Sequence, residues 1–128
     1  MAVEYENTIK KMFDAWTRLS ADEILDFFAD DAVFHNVPLE PAIGKAAILK
    51  TIHELLSGLL KDVTRIKIDV LHTCSNDGIV FDERIDSFEL KGKWVSLPVV
   101  GIFEMRDDGK IKAWRDYFDL EMFLKQTR

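Results

Sequence analysis

From Asp62 onward the dominant hydrophobic period of this chain changes from helical to alternating. That single change restricts the fold to α+β, with helices packed on one face of a sheet. Ile9, Met12, Phe13, Trp16 and Leu19 recur at helical spacing. Ser20 and Glu23 form a capping-box pattern ahead of Ile24, Leu25, Phe27 and Phe28, which are expected on a second helix. A short extended segment, 32–37, is stopped by Pro38 and Pro41. Gly44 then introduces a third helix carrying Ile48, Leu49, Ile52, Leu55, Leu56 and Leu59, closing near Gly58.

Beyond Asp62, Ile66, Ile68 and Val70 alternate with Arg65, Lys67 and Asp69, the mark of a half-buried strand. Turns at Asn76-Asp77-Gly78, Lys91-Gly92-Lys93 and Asp107-Asp108-Gly109 delimit strands at 79–90, 94–105 and 110–118, an antiparallel meander. Residues 120–126 suit a terminal helix through Leu120, Phe123 and Leu124. Residues 1–128 carry no linker or repeat and are expected to form one domain. Phe81, Ile85, Val100 and Ile102 fall on the sheet face that the helices do not cover. A second copy of the sheet is expected there, making a homodimer.

Composition narrows the function. With 23 acidic against 17 basic residues the net charge is −6, which disfavours a nucleic-acid partner. No apolar run approaches the roughly 20 residues needed to cross a bilayer. Residues 1–6 lack a basic start followed by an apolar stretch, so no signal peptide and no membrane partner are expected. Cys74 is the single cysteine, which excludes an internal disulfide and suits the cytoplasm; it reads as a small buried or half-buried hydrophobe. His35, His53 and His72 show no metal-ligand spacing, and there is no phosphate loop or nucleophile elbow. Neither metal nor cofactor is expected.

Chemistry concentrates on two strands. Val80, Asp82, Arg84, Asp86 and Phe88 share one face of the first, and Trp114, Asp116 and Phe118 share one face of the last. An aspartate between two aromatics under a helical layer is desolvated, and such a charge needs a partner. Arg84, two residues from Asp86, is the evident one, although solvated ion pairs are the usual fate of charges on strands.

The segments Asp82-Glu83-Arg84-Ile85-Asp86 and Trp114-Arg115-Asp116-Tyr117-Phe118-Asp119 resemble the two signature stretches of the limonene epoxide hydrolase family. The stretch from Phe28-Ala29-Asp30-Asp31 through Asn36-Val37-Pro38-Leu39 resembles its counterpart there. The likeness runs from the first helix to near the end, with a shorter hairpin around Gly92. It implies a nuclear transport factor 2-like fold: a cone of N-terminal helices wrapped by a curved, mixed or antiparallel sheet, with a deep apolar pocket. It implies Asp116 as general base, Asp86 as general acid, Arg84 bridging them, and Asn36 holding a water with Asp116. The substrate would be a small lipophilic epoxide, opened to a vicinal diol. Acid and base must coexist in different protonation states, so one pKa rises while Arg84 holds the other down.

Phe13, Trp16, Phe34, Leu55, Leu59, Phe88, Leu97, Val99, Phe118 and Phe123 are core by default, and in a cone-shaped fold they also line the pocket, where they would contact substrate. Phe34 departs from the family, which has a tyrosine there as a further donor to the water. Two other functions stay open. A proton-shuttling isomerase or cyclase of the same fold needs a donor over a carbonyl, for which Tyr5 and Tyr117 are poorly placed. A dimeric binding module for a hydrophobic ligand needs a pocket but no coupled acid–base pair.

Overall fold

The structure is a computed structural model and describes residues 2–128, with side chains from Glu4 onward. Its elements run α1 (Ala2–Thr17), α2 (Ala21–Leu25), β1 (Phe28–Asn36), β2 (Ala42–Ile43), α3 (Lys45–Ser57), β3 (Val63–Asn76), β4 (Ile79–Leu90), β5 (Lys93–Met105), β6 (Ile111–Tyr117) and α4 (Leu120–Thr127). Six strands form one open sheet in the order β2-β1-β6-β5-β4-β3. All pairings are antiparallel except β1 with β6, which run parallel. Helix α1 packs on β3 and β4, α3 on β1 and β2, and α4 on β5. This is the α+β, nuclear transport factor 2-like architecture expected from the sequence, with a sheet that does not close into a barrel.

Local chemistry accounts for most boundaries. The Ser20 hydroxyl accepts from the Glu23 amide at 3.3 Å, capping α2. Asp77 and Lys91 take φ of 51° and 50°, each followed by a glycine at positive φ. The hairpins β3–β4 and β4–β5 therefore close through two-residue turns whose twist suits the strands. Pro98 is tolerated in β5 because it lies beyond the last pairing with β6, at Val100↔Tyr117. There α4 covers the free edge, and the Gln126 amide bonds both the N–H and the carbonyl of Ser96.

Two local expectations are corrected. Phe27 and Phe28 are not helical: α2 ends at Leu25 and Phe28 opens β1. Asp30 and Asp31 accordingly lie within β1, where an irregularity between Phe28 and Val33 leaves both exposed. Cys74 is exposed, not buried, because it sits near the end of the edge strand β3 beyond a register shift at Val70/His72. His35 is half-buried, with Nε2 3.0 Å from the Leu39 carbonyl.

The core lies between helices and sheet. Phe13, Trp16, Phe28, Phe34 and Phe103 surround Trp114, whose ring centroid is 4.7 Å from that of Phe34. Such aromatic pairs contribute about 0.5–1.5 kcal/mol each beyond area burial. On the opposite face, Phe81, Val100 and Tyr117 are exposed, and Ile85 and Ile102 are half-exposed. No helix among the described residues is long and apolar enough to cross a membrane.

Candidate active site

A buried guanidinium is the centre of the site. Arg84 is 1 % exposed and lies on the inner face of β4, with its charge 4.9 Å from the Phe13 ring. Its Nε donates to Asp86 Oδ1 at 2.9 Å and its Nη2 to Asp86 Oδ2 at 3.2 Å, a bidentate pairing. The same Nη2 donates to Asp116 Oδ2 at 2.5 Å. Nη1 donates to Asp82 Oδ1 at 3.0 Å. One cation thus holds three buried carboxyls from two strands.

The sheet register brings them together. Asp82 and Asp116 both stand opposite Gly101 of β5, one on each side. A Cβ on Gly101 would come within 2.5 Å of Arg84 Nη1, 2.6 Å of Asp82 Oδ1 and 3.0 Å of Asp116 Oδ1. The missing side chain is the space in which the cluster fits, and Gly101→Ala would displace it. Parallel pairing of β1 with β6 sets Phe34 beside Trp114 and Asn36 beside Asp116. Trp114 Nε1 donates to Asp116 Oδ1 at 2.6 Å, so each oxygen of Asp116 faces an N–H that can only donate.

Burial decides the electrostatics. Desolvation raises Asp86 from 3.8 to about 6 despite the opposing charge of Arg84, and Asp116 nearby adds to the rise. Asp82 is raised to about 6 in the same way. Burial alone would pull the Arg84 guanidinium down, but Asp116, Asp86 and Asp82 more than reverse this and keep it a cation. The rise expected of the acid is found at both Asp82 and Asp86, because burial outweighs the arginine at each.

The cluster forms one wall of an apolar cavity of about 100 Å³. All ten apolar residues expected at a pocket line it: Phe13, Trp16, Phe34, Leu55, Leu59, Phe88, Leu97, Val99, Phe118 and Phe123. Arg84, Asp86, Asp116 and Asn36 line it too, together with Leu39, Leu60, Ile66, Ile68, Trp114 and Leu120, which sequence reasoning did not place at the pocket. Among the described residues, the Trp16 indole N–H is the one buried side-chain polar group without a partner. No group of three or more His, Cys, Asp and Glu among them is arranged to hold a metal ion; the three aspartates are separated by the guanidinium. Asp82 was missed as a site residue. Its signal was its place on the face shared by Arg84 and Asp86.

The open six-stranded sheet and its packed helices are an architecture shared with other solved structures. A putative polyketide cyclase from Xanthomonas campestris pv. campestris superposes with a TM-score of 0.81 at 21 % identity, covering 98 % of this chain and 97 % of that one. An LEH-like epoxide hydrolase from M. tuberculosis superposes at 0.78 and 22 % identity, covering 97 % and 89 %. At such identities these likenesses establish the fold alone. Sequence decides the family: residues 3–128 match the limonene-1,2-epoxide hydrolase catalytic domain, and the chain belongs to that family. It is also 33 % identical over 97 residues to the epoxide hydrolase EphG of Mycobacterium tuberculosis; the match takes in 73 % of this chain and 60 % of that relative's length.

Proposed function

We propose that this protein is an epoxide hydrolase that adds water to a small lipophilic epoxide in one general acid–base step. The observation that carries the reading is Arg84 Nη2, shared between Asp86 and Asp116 on the wall of an otherwise apolar cavity. In the step, water held by Asn36 and Asp116 attacks a ring carbon and gives a proton to Asp116. The ring C–O bond breaks, and its oxygen takes the proton of Asp86. The product is a vicinal diol, with Asp116 protonated and Asp86 ionised; Asp116 then gives up its proton and Asp86 regains one through water, restoring the starting state. Each proton transfer contributes about 10²–10⁴-fold. Membership of the limonene-1,2-epoxide hydrolase family and the likeness to the epoxide hydrolase EphG support the same reading. Incubation with a panel of lipophilic epoxides should yield diols. No diol from any member would remove it and favour a carbonyl substrate or a non-catalytic ligand.

The pH dependence follows from the raised carboxyl. General-acid action needs protonated Asp86, so kcat/KM should fall as pH rises through about 6, the value burial gives that group. An apolar substrate expels water and raises it further, so the limb in kcat should lie at higher pH. Activity that climbs steadily from pH 6 to 8 would exclude Asp86 as the acid.

Phe34 supplies stacking on Trp114 but no hydrogen bond. Phe34→Tyr should restore a donor to the attacking water; one bond of about 0.5–1.5 kcal/mol corresponds to a roughly two- to tenfold gain in kcat. Asn36→Ala should act in the opposite direction. A loss in the first variant and silence in the second would show that water is not held there.

We further infer a homodimer, supported by the exposed Phe81, Val100 and Tyr117 with half-exposed Ile85 and Ile102 on the outer sheet face. Sedimentation at micromolar concentration should give twice the 14.8 kDa chain mass, and a clean monomer would refute it.

A further inference from the structure

Asp82 takes no part in the step just described, yet it is the third carboxylate on the same guanidinium. Its side chain is 2 % exposed and does not line the cavity, so it touches no substrate. Oδ1 accepts from Arg84 Nη1 at 3.0 Å and from the Gly101 amide at 3.1 Å. An arginine carries five N–H donors. Here Nε and Nη2 serve Asp86 and Asp116, and Nη1 serves Asp82. Without Asp82 the Nη1 edge would face buried backbone, and the planar group would gain by rotating away from its other partners. With only two carboxylates to share it, the positive charge would also favour the ionised form of Asp86.

We propose that Asp82 is a positioning residue for the acid–base pair: it clamps the third edge of Arg84 and takes up part of its charge, so that the guanidinium stays between Asp86 and Asp116 while Asp86 keeps its proton. The role rests on the acid–base reading above. The charged groups that bear on Asp82 are Arg84, Asp116 and Asp86. Its cross-strand neighbours, Thr73 and Gly101, are uncharged, and α1 sets Phe13 over the guanidinium. Burial lifts the Asp82 carboxyl to about 6 against the pull of Arg84, and the charges of Asp116 and Asp86 add to the rise.

Asp82→Asn tests this, because the amide keeps an acceptor for Arg84 and Gly101 but removes the charge. With styrene oxide as probe, kcat should fall roughly three- to tenfold with KM unchanged, the alkaline limb moving down by about one pH unit. The sign follows from Arg84: less compensated, it favours ionised Asp86, and the acid is lost at lower pH. The Asp86 carboxyl, followed by ¹³C NMR, should titrate lower by the same amount. Asp82→Thr, a smaller neutral acceptor, should shift both readouts in the same direction, and Asp82→Glu should restore the wild-type limb. An unchanged Asp86 titration in the two neutral variants would overturn the proposal and leave Asp82 a structural contact. If the wild type opens no styrene oxide, the hydrolase reading suffers, while the carboxyl titration still decides the role of Asp82.

Discussion

Replacing Asp116 by asparagine is expected to lower epoxide turnover by at least about 10²–10⁴-fold, the contribution of a positioned base, with KM little changed. The amide fits the same space but cannot take the proton of the attacking water. It also cannot satisfy both of its neighbours. Trp114 Nε1 and Arg84 Nη2 each donate to one oxygen of Asp116, and an amide offers one oxygen and one N–H₂. One donor must therefore face another, which costs about 1–3 kcal/mol of stability. A folded variant with a lowered midpoint and almost no activity is the expected outcome, measured by urea unfolding beside the kinetic assay. Near-native turnover would take Asp116 out of the mechanism.

Arg84→Met should be costlier to the fold, because it strips the cation from three buried carboxyls while roughly preserving the apolar stem. Breaking a buried pair from one side costs about 3–5 kcal/mol, and that figure should apply near pH 8. Asp82 and Asp86 already have folded pKa values raised from 3.8 to about 6. Their protonated forms favour the fold below about pH 4, and that contribution is lost as pH rises through 6. Without Arg84 the carboxyls of Asp82 and Asp86 lose its pull, rise further and enter the fold neutral at pH 5, so the penalty should shrink there. Equal losses of stability at pH 5 and pH 8 would mean that the guanidinium does not govern the cluster.

The sequence carried the architecture because two different periods mark its two halves, and because Asp77-Gly78 and Lys91-Gly92 announce turns that only positive φ can make. It carried Arg84, Asp86 and Asp116 through strand alternation and the resemblance of two short segments. It did not carry the start of β1. Phe27 and Phe28 continue a helical spacing for a few residues, and nothing local reveals the irregularity that sets Asp30 and Asp31 into the strand. Asp82 was visible as a residue but not as a site. Charges on strands are usually solvated, and what encloses this one is a glycine on the next strand, 19 residues away and opposite only through the register. The apposition of Asn36 and Asp116 likewise depends on a parallel pairing of the first and last long strands, which spacing along the chain does not encode.

The claim that water itself is the nucleophile is tested most directly by a single turnover in ¹⁸O-labelled water, with enzyme in excess over a lipophilic epoxide. Attack by water activated at Asp116 places the heavy oxygen in the diol in the first turnover and none in the protein. Diol formed with an unlabelled oxygen, and label appearing in an aspartate carboxyl, would mean a covalent ester and would contradict the account.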